Sequence, residues 1–159
     1  MELRTDKIRA CFDRKIGNFT ELWNLSTNTN YVRCAPRDPL IELYGLKNGE
    51  RVKLSGHISD VAEAPDALIL SYDSFGEYDI SAKVTCRCEQ DRLVFSAEIC
   101  NHSTIDVTEI LMPHLGGIYL GNGQKDYLIY PHHAGDKTED PVYNYAENRM
   151  TFWRGCSVP

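Results

Sequence analysis

The sequence predicts an all-β fold of antiparallel strands. Three observations carry that reading. Apolar and polar residues alternate through residues 80–88 and again through 93–99, the period-two pattern of strands with one face buried and one wet. Turn residues recur at roughly the eight-to-twelve-residue spacing of sandwiches and barrels. No window of eleven or more residues holds a 3.6-residue apolar period.

Each element follows from local pattern. In IRACFDRKIGNFTELWNL, the apolar side chains Ile8, Ala10 and Phe12 alternate, Ile16-Gly17-Asn18 makes a turn, and Phe19, Leu22 and Trp23 return. Leu40, Ile41 and Leu43 open the next strand, which Lys47-Asn48-Gly49-Glu50 closes with an Asn-Gly hairpin turn. Leu68, Leu70 and Tyr72 share one face of a further strand. Ile80, Ala82, Val84, Cys86 and Cys88 face Leu93, Phe95, Ala97 and Ile99 across a turn at Glu89-Gln90-Asp91. VTEILMPHLGGIYLG and KDYLIYPHHAG supply two more strands, punctuated by Pro113, Gly116-Gly117, Gly121-Asn122-Gly123 and Pro131.

Composition narrows the function. The 159 residues suffice for one domain with a sizeable core. A net charge of -6 leaves no basic stripe for phosphates, which argues against a nucleic-acid partner. The charged opening MELRTDKIRACFDRK is no signal peptide, and no apolar run is long enough for a membrane helix. The six cysteines (Cys11, Cys34, Cys86, Cys88, Cys100 and Cys156) show no zinc spacing. They read as buried free thiols, and the expected location is a reducing cytoplasm.

The candidate chemistry centres on YLIYPHHAG, residues 127–135. Adjacent histidines on a strand point to opposite faces, so His132 and His133 cannot share one metal ion without a backbone bend. A zinc site would have to recruit His114 and Asp126. No metal and no cofactor is expected. Sugar acid–base chemistry needs a histidine and a carboxylate. His114, His132 or His133 with Glu109, Asp126 or Glu139 would serve, and no spacing selects a pair. Asp136, Glu139 and Asp140 read as a solvated acidic loop. The glycines of GGIYLGNG read as tight turns, since they open no helix that could bind phosphate. Tyr127, Tyr130, Tyr143, Tyr145, Phe152 and Trp153 crowd the last third, suited to sugar stacking or to docking against another domain.

Taken together, FDRKIGNFTELWN, ISDVAEAPDALILSYD, AKVTCRCEQDRLVFSAEICNHS and the paired strand ends P-x-L-x-G-I-x-L-G (113–121) and DYL-x-x-P-x-x-x-G (126–135) resemble a known domain. It is the N-terminal domain of large bacterial glycoside hydrolases, in particular of a poorly characterised group of them. The resemblance implies an antiparallel β-supersandwich of galactose-mutarotase-like fold across residues 1–159. It implies a chain that continues into a catalytic (β/α)8 barrel, with FWRGCSVP leading toward it. The catalytic carboxylates would belong to that barrel, so no catalytic residue is assigned here and the isolated domain is expected to be inactive. His114, Asp126, Tyr127, His132, His133 and Trp153 are then candidates for the rim of a sugar pocket or for the domain interface. The implied partners are the barrel and carbohydrate, with no nucleic acid and no membrane. Self-association of the isolated chain through the aromatic segment 143–153 is the further expectation. A compact aldose 1-epimerase and a stand-alone carbohydrate-binding module are the alternatives. Free-standing epimerases, however, are longer and keep their catalytic residues in segments this chain lacks.

Overall fold

The computed structural model describes residues 1–34 and 38–118, together with strand segments 127–130 and 136–139. Every regular element among them is a β-strand, and all pairings between named strands are antiparallel. The chain divides into two compact units, Met1–Ile118 and Tyr119–Pro159.

Three sheets build the first unit. Strands β1 (Glu2–Arg4), β2 (Ile8–Phe12), β3 (Phe19–Asn24) and β4 (Thr29–Asn30) pair in chain order. Strands β5 (Glu42–Lys47) and β6 (Glu50–Leu54) form a hairpin, to which β11 (Asp106–Leu111) adds on the far side of β5. Strands β7 (Asp60–Glu63), β8 (Ala67–Tyr72), β9 (Ile80–Glu89) and β10 (Arg92–Asn101) form the third sheet. In the second unit β12 (Tyr127–Tyr130) pairs with β13 (Asp136–Glu139). The segment expected to be a solvated acidic loop is therefore in part a strand. Its backbone pairs with Tyr127–Tyr130, a demand that overrides the weak β-propensity of Asp, Lys and Glu.

The hairpin turns are those their residues require. Asn48 and Gly49 both have positive φ (55° and 82°), the requirement of a type I′ turn at a two-residue hairpin. Gln90 takes φ 53° between β9 and β10, whose ten cross-strand pairs run without a break from Arg92↔Glu89 to Asn101↔Ile80. Gly17 has φ 71°, and a Cβ there would lie 2.5 Å from Leu70 Cδ1, so the turn joining β2 to β3 admits only glycine without strain.

One apolar core joins the three sheets, the organisation of a β-sandwich. The first sheet contributes Leu3, Ala10, Phe12 and Phe19; the second Leu43 and Leu54; the third Leu68, Leu70, Ile80 and Val84. Phe19 sits at a junction, with its ring 4.8 Å from that of Phe12 and 6.1 Å, edge to face, from that of Phe95. Strand β9 alternates as its sequence predicts: Ile80, Ala82, Val84 and Cys86 are buried. Strand β10 has the same inward set, but Leu93, Phe95, Ala97 and Ile99 are only half-buried against the core. Its place at the end of the sheet order accounts for the difference.

The expectation of buried thiols is corrected. All five described cysteines are free, but Cys34 and Cys100 are exposed and only Cys86 is fully buried. Cys34 follows the last bridge of its segment, and Cys100 lies on the outward face of an end strand. Burial pushes the Cys86 thiol up to about 12, with the neighbouring Cys88 adding to the effect.

Two tests follow from this packing. Phe19→Ala should cost about 3–5 kcal/mol and Gly17→Ala about 2–3 kcal/mol, read from urea unfolding midpoints; a near-neutral Phe19→Ala would mean that the three-sheet core is misplaced. In native buffer near pH 8 a thiol reagent should modify Cys34 and Cys100 rapidly and leave Cys86 unmodified until the chain is unfolded, as peptide mapping would show.

Candidate functional site

Of the residues expected at a sugar-pocket rim or domain interface, His114 is the one whose side chain is described. Its backbone is fixed on both sides: His114 N–H donates to Leu40 O at 2.8 Å, and His114 O accepts from Asn18 Nδ2 at 2.8 Å. Its Nδ1 is buried and lies 3.5 Å from Glu42 Oε1, but the alignment is not that of a hydrogen bond. The contact is therefore electrostatic in character. Tyr127 opens β12 opposite Glu139. Asp126, His132, His133 and Trp153 lie outside the described residues, as do segment 143–153 and the grouping of His114 with His132 and Asp126. Glu109, one of the three carboxylates considered for acid–base work, is engaged by Arg51 at 2.6 and 2.9 Å. Among the described residues no cluster of His, Cys, Asp and Glu side chains could hold a metal ion.

Glu42 is the unusual acid. It is only 3 % exposed, although it lies on the same face of β5 as the polar Tyr44 and opposite the core residue Leu43. Lys53 Nζ donates to Glu42 Oε1, and the Tyr44 hydroxyl donates to Oε2 at 3.0 Å. Register makes this possible, since Tyr44 is paired with Lys53 on β6 and with Glu109 on β11. The Arg51 guanidinium lies 3.6 Å above the Tyr44 ring. A continuous chain of charge and aromatic contacts therefore crosses the three strands. Burial pushes the Glu42 carboxyl up, but the bonds from Lys53 and Tyr44 outweigh it and hold the group below the usual carboxylate range. The bond to Glu42 correspondingly raises the Lys53 ammonium.

The larger feature is a cleft of about 540 Å3 between β2, β3 and the start of β10, within the range typical of ligand sites. Its lining is mixed: Phe19, Leu22, Leu93 and Phe95 are apolar, Trp23 and Tyr31 are aromatic, and Lys7, Asn24, Asp91 and Arg92 are polar or charged. Local structure sets the Trp23 ring. Its Nε1–H donates to Glu21 Oε2 at 2.7 Å, and the same oxygen accepts from Arg9 at 2.9 Å. Arg9 is the cross-strand partner of Trp23, so one carboxylate holds a cation and an indole side by side. Asn30 Oδ1 takes the N–H groups of Leu22 and Val32, shaping the return that carries Tyr31. At the rim Lys7 Nζ stands 3.5 Å from Asp91 Oδ2. Sequence reading treated Trp23 as a strand residue. The signal it passed over is Glu21-x-Trp23, with both side chains on one face of β3 opposite Arg9 of β2.

Comparison with known protein families, with curated proteins and with solved structures finds no match for this chain.

The Glu42 arrangement gives a pH signature. Its folded pKa lies below its unfolded value, so the stabilisation is present at neutral pH, above about 4.3, and is lost as pH falls through the folded value. Glu42→Gln should cost about 1–3 kcal/mol at pH 7 and flatten the acid limb of stability against pH. Denaturant melts over a pH series check this; parallel limbs for the two proteins would remove Glu42 from the account.

Proposed function

We propose that this chain is a non-catalytic β-sandwich domain, of galactose-mutarotase-like type, belonging to a glycoside hydrolase whose following (β/α)8 barrel carries the catalytic carboxylates. In this reading the domain packs on the barrel, helps to shape its sugar pocket, and contacts carbohydrate itself through the Trp23 cleft. The cleft is the observation that carries the reading. Sugars present apolar C–H faces and hydroxyl edges, and they are matched by a fixed aromatic ring beside donors and acceptors of both signs. Trp23 and Tyr31 supply the first, and Lys7, Asn24, Asp91 and Arg92 the second. The antiparallel sheets around one core and the paired motifs at 113–121 and 126–135 support the domain type. The free thiols of the described cysteines support a reducing compartment.

An epimerase reading would put His114 and a carboxylate against one sugar. Glu42, whose carboxylate lies 3.5 Å from His114 Nδ1, is buried and already engaged by Lys53 and Tyr44, which disfavours it as a proton acceptor.

The test is tryptophan fluorescence, with Trp153→Phe as background because the chain has two tryptophans. Gluco-, galacto- and xylo-oligosaccharides should give a saturable change in Trp23 emission, and Tyr31→Ala should weaken binding by about tenfold. A flat response across the panel would count against the cleft as a carbohydrate site.

A further inference from the structure

The longest edge strand of the first unit is β10. Its sheet runs β10-β9-β8-β7, so one side of β10 is bonded to β9 and the other meets no described strand. The two-residue turn Gln90-Asp91 makes Glu89 and Arg92 the closing hydrogen-bonded pair of the hairpin. By alternation Val94, Ser96, Glu98 and Cys100 also bond to β9, and Leu93, Phe95, Ala97 and Ile99 turn their N–H and C=O groups outward. The far side of β9 agrees with this phase. Cys88, opposite Leu93, donates its N–H to Asp66 O rather than to β10. Among the described residues nothing takes up the outward backbone groups of β10.

The other edges of the unit are blunted, by short length, charge or a bulge, the usual defences of a free edge. Strands β1, β4 and β7 have three, two and four residues. Strand β6 presents Glu50, Arg51 and Lys53, and β11 carries a register shift between Val107 and Glu109. Strand β10 has ten residues, no proline, no lysine and no register shift. Its inward side chains Leu93, Phe95, Ala97 and Ile99 are only half-buried, so backbone and apolar face alike have surface left to cover.

We propose that β10 pairs antiparallel with β10 of a second copy of this chain, joining two four-stranded sheets into one continuous sheet. Charge selects both the partner and the register. The only charged side chains of the strand are Arg92 and Glu98, and both are exposed. Glu98 has no ion-pair partner among the described residues. Arg92 has only an exposed contact with Glu89, of the kind that contributes little. A two-fold axis at Phe95 sets Arg92 of each copy opposite Glu98 of the other, so the same ion pair forms twice. It also sets Leu93 against Ala97 and Phe95 against itself, in phase with the outward backbone groups. An axis at Ala97 would set Glu98 against Ser96 and lose both ion pairs.

The inference does not rest on the carbohydrate reading. Arg92, Leu93 and Phe95 also line the Trp23 cleft, so the test is made without sugar. It is sedimentation equilibrium of the whole chain over a concentration series, where a reversible monomer–dimer equilibrium is expected. Ala97→Pro removes an outward N–H that β9 does not use, and should abolish the dimer while the circular-dichroism spectrum is kept. Glu98→Arg should weaken dimerisation by about tenfold, because each substitution acts at two symmetric places. Arg92→Glu should do the same, and the two together should restore the dimer. These charge reversals decide the matter if Ala97→Pro does not fold. A monomer at every concentration overturns the proposal, as does a double variant no tighter than either single one. A dimer of undiminished affinity in the folded variants also overturns it, and would place the association on another surface such as segment 143–153.

Discussion

The architecture depends on one buried amide. Asn18 is fully enclosed, and its side chain makes three hydrogen bonds. Its oxygen accepts the Phe19 N–H at 2.9 Å, and its nitrogen donates to Asp38 O at 2.9 Å and to His114 O at 2.8 Å. An amide group with unmet bonds would be costly at such a position, whereas one with every partner in place specifies its neighbours closely. The partners come from the start of β3, from the approach to β5 and from the segment following β11. The same residue therefore fixes the entrance to the sheet that carries Glu42 and the backbone of the histidine facing it. Gly17, directly before it, permits the turn that delivers Asn18 to the interior.

Much of this was legible in the sequence because period two survives wherever a strand has one buried face. The β9–β10 hairpin, its Gln90-Asp91 turn and the Asn48-Gly49 turn could all be read directly. Strands β1, β7 and β13 could not. Glu2–Arg4, Asp60–Glu63 and Asp136–Glu139 are short and largely polar, and they exist because a neighbour offers a backbone ladder rather than because their side chains favour one. Even Leu3, the buried side chain of β1, gives no periodic signal within three residues.

The cleft and the buried polar groups were harder to foresee than the strands. Trp23 gains meaning from Arg9 across the ladder and from Leu93 and Phe95 far along the chain. Tyr72 reads in sequence as one member of an alternating apolar face, and it is that. What no pattern could reveal is that its hydroxyl would be buried with no hydrogen-bond partner among the described residues. Glu42 was hidden for a related reason: a glutamate preceding Leu43 on a strand reads as a wet-face residue. Only the register of three strands encloses it with Lys53 and Tyr44.

The span of the Asn18 bonds also bears on the order in which the chain assembles. The β9–β10 ladder closes around a two-residue turn, and β5–β6 does likewise, so each requires little loop-closure entropy and can form on the microsecond scale of hairpins. The bond from Asn18 to His114 joins residues 96 apart in sequence. It becomes worth making only once the intervening sheets have been brought together, so it belongs to the late, downhill side of the folding barrier. In mutational kinetics that division would give high φ-values at the Gln90 turn and low ones at Asn18. The contact that orders the finished structure is thus a latch set after assembly, and its loss would quicken unfolding far more than it slowed folding.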